Sequence, residues 1–481
     1  MDEKVTVGGI EIPRSDWEAT PESVKELVRQ LVDRLTAIEE RLGLNSSNSS
    51  IPPSKQRRAG KTEEKESSGK RGGQKGHKGF GRNLYETSEC SEVHEHRPSQ
   101  CQHCGEELDG RDPSPYRHQI VELPEVEVVV HEHQLHRLRC ETCGRETRAK
   151  LPEGVETSGY GARLQSVVAS LSGEYHLSHT KVQRLVAEAW GVKLSRGSIN
   201  RIRERVCQKL AGVVEQAKAY VQASELVHVD ETRWMQQNSD GKNPENSSAW
   251  LWAAVSGAVA VYQIRLSRSS QVAKELLGEL YRGIVHSDRY AGYNWLPVEQ
   301  RQVCWAHLKR DFTRMAERSG VSGEIGRALL AQTKQLFHWW HRVRDGTISF
   351  ELFEPTICEL RDEVHRLLTE AVGWLDSPRE KTPLAKTART CQQILKLEPA
   401  LWRFSQVEGS EPTNNTAERA VRGAVIWRGL SFGSQSQAGS EFVERPLTFS
   451  GSLRLQGRSS MQGLTSLLRG QPLSLLPALT L

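Results

Sequence analysis

The sequence contains no long hydrophobic run. A membrane-spanning helix needs about 18 or more consecutive apolar residues, and none of the 481 residues belongs to such a stretch. The apolar residues 473–481 are too few to cross a bilayer. The N-terminus, Met1-Asp-Glu-Lys4, lacks the apolar segment of a secretion signal. We therefore expect a cytoplasmic protein.

Cysteine is scarce, and the number of cysteines is odd. There are nine, and four of them form two Cys-x-x-Cys pairs. This pattern favours a reducing compartment and a metal site over a framework of disulfides. The net charge is +5 and the isoelectric point is about 8.7. A mildly basic chain is compatible with nucleic acid but does not establish it. The length suits about two to four domains.

The most informative stretch is Leu226-Val-His-Val-Asp-Glu-Thr-Arg-Trp234. Its alternating apolar residues predict a half-buried strand, and Asp230 lies towards its end. Two later stretches are candidate partners. One is a short apolar run that ends at Asp288, and the other is a predicted helix start that carries Glu418. Carboxylates held at strand ends suit Mg²⁺, which prefers oxygen ligands in octahedral geometry.

Each acid also has a simpler interpretation as a surface carboxylate. Glu231 follows Asp230, and successive side chains of a strand point to opposite faces. We choose Asp230 because its setting matches that of Asp288. Asn414, Glu418 and Arg422 are spaced to share one helix face, which suits a metal and a phosphate. The alternative there is an ordinary surface ion pair between Glu418 and Arg422.

The N-terminal region predicts a helix followed by a basic linker. Apolar residues spaced alternately four and three apart predict either a short coiled coil or a helix packed on its own chain: Val24, Val28, Leu31, Leu35, Ile38 and Leu42. A run rich in Asn, Ser and Pro, residues 45–54, ends it. Residues 55–82 then carry ten Lys or Arg against three Glu. They predict a disordered segment, which is either a solvated spacer or a DNA-binding arm; its candidate contacts are Lys55, Arg57, Arg58, Lys75 and Lys78.

The two cysteine pairs predict a structural zinc site. Cys101-Gln-His-Cys104 and Cys140-Glu-Thr-Cys143 supply four thiolates, which suit tetrahedral Zn²⁺. Residues 126–139 alternate in polarity and predict a hairpin strand that brings the second pair back beside the first. Free thiols are the alternative.

Residues 160–222 predict helices. Ser178 and Ser195 are candidate N-caps, and Gly191 between them supplies a turn. A helix, a glycine turn and a basic second helix resemble a helix-turn-helix, although a purely structural helix pair explains the pattern as well. The second helix carries Arg196, Arg201, Arg203 and Arg205.

The order of elements after residue 225 predicts a ribonuclease H-like core. The Asp230 strand, strands at 249–255 and 259–264, a helix at 270–281, the Asp288 strand and a strand at 301–304 form a mixed sheet. Residues 315–405 are predicted to be a helical insertion. The predicted domains are 1–44, 45–85, 86–152, 153–222, 223–435 and 436–481: in order, the N-terminal helix, the basic linker, the zinc-binding module, the helix-turn-helix-like region, the catalytic core and a C-terminal helical segment.

Several of these motifs, taken in order, resemble transposases of the insertion sequence 66 family, a group of DDE transposases. They are the Asn/Ser/Pro run, Gly72-Gly-Gln-Lys-Gly-His-Lys-Gly79, the two cysteine pairs, Val229-Asp-Glu-Thr232, Ser287-Asp-Arg-Tyr-Ala-Gly-Tyr293, Cys304-Trp-Ala-His-Leu-Lys-Arg310 and Asn414-Asn-Thr-Ala-Glu-Arg-Ala420.

The resemblance implies a bacterial, nucleoid-associated enzyme with a ribonuclease H-like core. Two Mg²⁺ or Mn²⁺ ions on Asp230, Asp288 and Glu418 would support cleavage at element ends and strand transfer into target DNA. It also implies a homo-oligomer on DNA and companion proteins from the same element. A non-catalytic DNA-binding derivative and a nuclease without strand transfer are the alternatives. Cys304 and His307 resemble a Cys-x-x-His motif of such enzymes, and we expect them to brace the insertion rather than to bind metal.

Overall fold

The computed structural model describes residues 4–7, 10–45, 47–49, 82–375, 380 and 382–477. The chain divides into two compact units, one formed by residues 57–130 and the other by residues 1–56 together with 131–481. Among the described residues, no helix is both long enough and apolar enough to cross a lipid bilayer.

The N-terminal part begins with a hairpin of β1 (Lys4–Val7) and β2 (Ile10–Pro13), followed by α1 (Arg14–Ala19) and α2 (Glu22–Leu42). The predicted helix is confirmed. Five residues of its apolar seam are exposed in this chain: Val24, Leu31, Leu35, Ile38 and Leu42. The alternative in which this seam packs on its own chain is therefore not what forms, while the coiled coil stays a prediction.

The strand predicted through residues 126–139 is mostly wrong. Only β3 (Arg137–Arg139) forms, and it pairs with β4 (Glu146–Arg148) across the turn that holds Cys140 and Cys143. In the unit of residues 57–130, the described part has a short 3₁₀ turn, Thr87–Glu89, and no strand. Val126 and Val128–130 are exposed there, because an alternating segment needs a pairing strand and an apolar surface to become a sheet.

Three helices follow: α3 (Ala162–Gly173), α4 (His179–Trp190) and α5 (Arg196–Ala223). Both predicted caps are confirmed. Ser178 accepts a hydrogen bond from the amide of Lys181, and Ser195 accepts one from the amide of Ser198. Gly191 ends α4 with φ of 66°, a left-handed conformation that glycine adopts at little cost. The inner face of α5 is buried, including Ile199, Ile202 and Leu210.

The central sheet contains β5 (Leu226–Trp234), β6 (Ala249–Val255), β7 (Ala260–Arg265), β8 (Ile284–Ser287) and β9 (Arg301–Val303), with α6 (Ser270–Leu277) between β7 and β8. The strand order is β7-β6-β5-β8-β9. The first three strands are antiparallel, and β5, β8 and β9 are parallel. The predicted strands are confirmed to within one residue at each end, whereas the helix before β8 is shorter than predicted.

Register places the end of β8 beside the middle of β5. His228 of β5 lies opposite His286 of β8 in a parallel pair. Asp230 and Asp288 each follow two residues later, and side chains two residues apart share one face of a strand. The register therefore directs the two acids to the same edge and the same face of the sheet.

A second helical layer follows β9: α7 (Trp305–Ala316), α8 (Gly320–Arg344), α9 (Phe350–Thr356), α10 (Cys358–Val372), α11 (Pro383–Leu395) and α12 (Glu398–Leu401). These helices share an apolar cluster of their own, which includes Leu308, Phe312, Leu329, Phe353 and Trp402. The predicted helical character of residues 315–405 is confirmed, and the layer begins earlier, at Trp305.

The last helices are α13 (Asn415–Ser431), α14 (Gln437–Leu455) and α15 (Ser460–Leu468). Helix α14 covers the free edge of β7. Three of its side chains accept hydrogen bonds from alternate amides of that strand: Glu444 from Ile264, Thr448 from Tyr262 and Ser452 from Ala260, at 2.6, 3.0 and 3.1 Å. Four helix residues rise about 6 Å and two strand residues about 6.7 Å, so the spacings match. The edge is thereby closed to another strand.

The contact between α7 and α8 depends on a glycine. A methyl group at Gly326 would lie 2.2 Å from the backbone nitrogen of Ala316. We predict that Gly326→Ala lowers the free energy of unfolding by about 1–3 kcal/mol, the usual cost of overpacking. Gly212→Ala in α5 meets no atom within 4 Å and should raise it by up to about 1 kcal/mol through helix propensity. Denaturant unfolding of both variants tests this, and equal stabilities would contradict it.

Candidate active site

Asp230 lies inside a group of carboxylates. Its half-buried side chain lies in the middle of β5, just past the part of the strand that pairs with β8, so the prediction that Asp230 lies towards the strand end is wrong. Its Oδ1 accepts a hydrogen bond of 2.9 Å from the amide of Glu231. Burial raises the pKa of Asp230 well above its usual range, and the charges of Glu231, Asp288 and Glu418 raise it further. The acids at 230, 288 and 418, which are separated along the chain, thus interact in the folded protein.

Asp288 follows β8 and is held by a local turn. Its Oδ1 accepts a 2.8 Å hydrogen bond from the amide of Tyr290. Its backbone oxygen accepts a 3.4 Å hydrogen bond from the buried guanidinium of Arg301. The turn fixes the direction of the carboxylate and leaves Oδ2 available at the edge of the sheet.

Glu418 is brought to the other acids by Asn414, which is 1% exposed. The Asn414 Nδ2 donates to the backbone oxygen of Val229 at 2.7 Å, and its backbone amide donates to Cys304 Sγ at 3.2 Å. Its Oδ1 accepts from His228 Nδ1 at 3.2 Å. Burial lowers the pKa of His228 to about 4, so the ring is neutral at pH 7. The amide of Asn414 is therefore used to anchor α13 on β5, which corrects its predicted role beside a metal or phosphate.

Glu231 faces a different set of partners. Arg268 donates hydrogen bonds from Nε and Nη2 to Glu231 Oε1, and the Tyr293 hydroxyl donates to Glu231 Oε2 at 2.6 Å. The Glu231 side chain is 2% exposed. Burial raises its pKa, and the charge of Asp288 adds to this effect. Both oxygens of Glu231 are already bound, so Asp230 is the acid of this pair that remains open to a cation.

Cys304 and His307 converge on Glu418. One ligand atom from each of the three lies within 4.8 Å of the others. His307 Nδ1 and Glu418 Oε1 are 3.6 Å apart, and neither has a hydrogen-bond partner among the described residues. Burial raises the pKa of Cys304 to about 11, so it is a neutral thiol at pH 7. The prediction that this pair braces the insertion rather than binds metal stays a prediction. Its signal in the sequence is the Cys-x-x-His spacing directly after the last strand of the sheet.

The basic residues predicted to contact DNA fall into three groups. Arg196, Arg201 and Arg422 are exposed. Arg203 is mostly buried, with its guanidinium 3.9 Å from the centre of the Phe442 ring, and burial lowers its pKa to about 10. We therefore leave Arg203 out of the DNA surface proposed below. The predicted contacts of the linker, Lys55, Arg57, Arg58, Lys75 and Lys78, lie outside the described residues.

The two cysteine pairs have the same local geometry, each in its own unit. Gly105 donates to the Cys101 backbone oxygen at 2.9 Å, and Gly144 donates to that of Cys140 at 2.8 Å. Both glycines have positive φ, 76° and 70°. Backbone amides beside each first cysteine lower its pKa, foremost that of His103 for Cys101 and that of Cys143 for Cys140. Turns of this kind present two sulfurs to one side, as a zinc ligand pair requires.

A mixed sheet with Asp230 in the middle of one central strand and Asp288 directly after its parallel neighbour defines an α/β protein with a candidate metal-dependent site. The family model described as Transposase IS66 family matches residues 157–441, more than half of the chain. The chain belongs to this family, whose members are in general enzymes that cut and transfer DNA. A family of unknown function matches residues 12–83. Comparison with curated proteins found no match.

The repulsion among the acids predicts how the site responds to a cation. Asp230→Asn should raise the melting temperature without metal at pH 7, because it removes a buried charge whose pKa is raised. The increase in melting temperature should be complete at pH values above the raised pKa of Asp230 and should disappear as the pH falls towards 3.8, the usual pKa of an aspartate. Mg²⁺ should stabilise the wild type, by about 2.7 kcal/mol at about 100 times its Kd, and should not stabilise the variant.

Thermal unfolding with and without Mg²⁺ measures both effects. Glu279→Gln is the matched control, since this exposed acid has no hydrogen-bond or ion-pair partner among the described residues. It should melt and respond to Mg²⁺ as the wild type does. A wild type indifferent to Mg²⁺ would contradict the assignment.

Proposed function

We propose that this protein is a DNA transposase of the DDE type, which cuts DNA at the ends of an insertion sequence and joins those ends to target DNA. Asp230, Asp288 and Glu418 are the proposed catalytic acids. The observation that carries the proposal is the parallel register of β5 and β8, which directs two acids to one edge, together with the electrostatic coupling of Asp230 to both Asp288 and Glu418.

The strand order supports a ribonuclease H-like core. Three antiparallel strands, a helix and two strands parallel to the first give the spatial order 3-2-1-4-5 within the sheet. In this arrangement the first strand is central and the fourth is its parallel neighbour. The proposed acid at position 230 lies in the first of these strands, the one at 288 directly follows the fourth, and the helix that follows the insertion supplies position 418.

The acids fit divalent cations. The buried carboxylate of Asp230 is destabilised by three neighbouring negative charges, which bound cations would offset. Glu418 Oε1 has no hydrogen-bond donor among the described residues. Carboxylate oxygens are the ligands that Mg²⁺ takes. Two such ions on one scissile phosphate supply Lewis acidity to both the attacking and the leaving oxygen.

The remaining groups of the site orient these acids and the DNA. Asn414 anchors the helix of Glu418, and the turn at Tyr290 fixes Asp288. Cys304 Sγ accepts a hydrogen bond from the backbone amide of Asn414 and so acts as a positioning residue for the helix of Glu418. The exposed guanidiniums of Arg196, Arg201 and Arg422 are proposed phosphate contacts, which give affinity and register without reading sequence.

Substitution of each acid tests the chemistry. Asp230→Asn, Asp288→Asn and Glu418→Gln should each reduce Mg²⁺-dependent cutting of DNA that carries the element ends by at least about 100-fold, because each removes a ligand that positions the reaction. Binding of the same DNA should stay near that of the wild type. Gel analysis of cut and joined products also separates a transposase from a nuclease, which would produce no joined DNA.

Glu231→Gln is the internal control, because both oxygens of Glu231 are bound by Arg268 and Tyr293. It should cut at a rate near that of the wild type and melt at a lower temperature, since Arg268 loses its anionic partner. An inactive Glu231→Gln beside an active Asp230→Asn would refute the choice between the two acids. Full activity of all the variants would refute the site, and a protein that binds ends without cutting them would be the non-catalytic derivative.

We also propose that Cys101, Cys104, Cys140 and Cys143 bind one structural Zn²⁺. The matched turn geometry of the two pairs supports this. Purified protein should contain about one zinc per chain, and Cys140→Ser should lose most of it, because three thiolates leave the tetrahedral site incomplete. Cys358→Ser, at an exposed cysteine outside the pairs, is the control and should keep its zinc. Zinc-free protein or an unchanged content in Cys140→Ser would contradict the proposal.

A further inference from the structure

The Asn/Ser segment (residues 45–49, of which residue 46 is not described) is folded against α7. Its Asn and Ser residues predict the end of a helix. Asn48 and Ser49 are nevertheless 2% and 6% exposed. Asn48 Nδ2 donates to Glu317 Oε2 at 2.6 Å, and Arg314 Nε donates to the Asn48 backbone oxygen at 3.0 Å. Two polar residues from the N-terminal region are thus buried against the helix that follows the last strand.

Hydrogen bonds within the segment fix its shape. Asn48 Oδ1 accepts from the Asn45 amide at 2.8 Å, and Asn48 Nδ2 also donates to the Gly43 oxygen at 2.9 Å. The Ser49 hydroxyl donates to the Asn45 oxygen. These bonds give the described part of the segment the shape of a turn, so that it is not only a connection between other parts.

A cleft of about 160 Å³ lies between this turn and the candidate active site. Its wall includes Ser49 on one side and Asp288 on the other, and the remaining lining residues are Arg289, His307, Arg310, Asp311 and Arg314. Arg289 pairs with Asp311. Arg310 makes no hydrogen bond or ion pair with any residue that the structure describes. A guanidinium with unused donors therefore lines a cleft that begins at a proposed catalytic acid.

The chemistry of this wall suits a phosphate. A guanidinium presents planar, paired donors that match two phosphate oxygens. The guanidinium of Arg310 has unused donors among the described residues. The terminal nitrogens of Arg314 remain available to a ligand, because only its Nε bonds to Asn48. Two carboxylates in the same wall disfavour a small free anion. A polyanion held next to the acids by the proposed cations can place one phosphate on the arginines, so that the cations complement the carboxylates and the phosphate complements the guanidiniums.

We propose that this cleft binds a backbone phosphate of the DNA strand next to the one being cut, through Arg310 and Arg314, with the Asn/Ser segment holding Arg314 in place. This inference rests on the proposed function, because it takes DNA to be the substrate of the adjacent acids. It assigns the N-terminal segment a positioning role in the catalytic core.

Binding measured without metal tests the cleft separately from the chemistry. The probe is a short duplex carrying the inverted repeat that flanks the coding region, with single phosphates near the cut position replaced in turn by neutral methylphosphonates. Wild-type full-length protein should lose roughly tenfold in affinity at one such linkage, the scale of one charged hydrogen bond. Arg310→Gln should lose roughly as much on unmodified DNA and should no longer respond to that linkage.

Lys309→Gln is the matched control, with the same charge change one residue away on α7 and outside the cleft. It should bind and respond as the wild type does. An Arg310→Gln variant that melts normally and keeps the full methylphosphonate response would overturn the proposal. Wild-type protein that fails to cut in Mg²⁺ would refute the proposed function, while the binding comparison would still decide whether the cleft holds a phosphate.

A donor-acceptor exchange tests the segment. Asn48→Asp should weaken DNA binding, because it sets two carboxylates against each other at Glu317 and releases the turn. Adding Glu317→Gln restores a donor and an acceptor in reversed positions and should recover part of the affinity, while the bond from Asn48 Nδ2 to the Gly43 oxygen stays lost. Wild-type affinity in Asn48→Asp, or no recovery in the double variant, would refute the positioning role.

Discussion

The candidate active site depends on one buried asparagine. Asn414 bonds to the β5 backbone beside Asp230, to the ring of His228 and to the thiol that precedes α7. Through its side chain and its backbone amide, this residue joins β5, the start of α7 and its own helix α13, and the three acids are carried by or near those parts. A hydrophobic contact would hold the helix against the sheet, but it would not set its rotation. Directional hydrogen bonds do, and they orient Glu418 towards the strand that carries Asp230.

That arrangement is costly without cations, and the surrounding residues limit the cost. Glu231 is neutralised by Arg268 and Tyr293, and Arg268 also stacks 3.8 Å from the centre of the Tyr290 ring. Asp230 has no such cationic partner within the part of the chain that the structure describes, so its charge stays destabilised. Neighbouring acids of one strand thus have opposite roles, one structural and one open to chemistry. The difference arises from which face of β5 each occupies.

The helical layer after β9 links the sheet to the N-terminal region. Helix α7 begins at the cysteine that bonds Asn414 and ends beside Glu317, which bonds Asn48. Its other face packs closely on α8 at Gly326. The region matched by the family of unknown function therefore contacts the region matched by the transposase family at a helix that also borders the acids. This gives a physical reason for both regions to occur in one chain.

Local signals in the sequence determined the helix caps at Ser178 and Ser195, the strands of the sheet and the choice of Asp230 over Glu231 as a prediction, because capping and alternation act within a few residues. They failed where the outcome depends on distant partners. Residues 126–136 alternate in polarity, but no strand pairs with them. The sequence predicted Asn414 to lie beside a metal or phosphate, whereas its side chain bonds to the β5 backbone. The burial of Arg203, the docking of Asn48 and the convergence of His307 on Glu418 were decided only by the tertiary structure. Burial and hydrogen-bond partners depend on which residues meet in space. The spacing of those residues along the chain does not indicate which of them will meet.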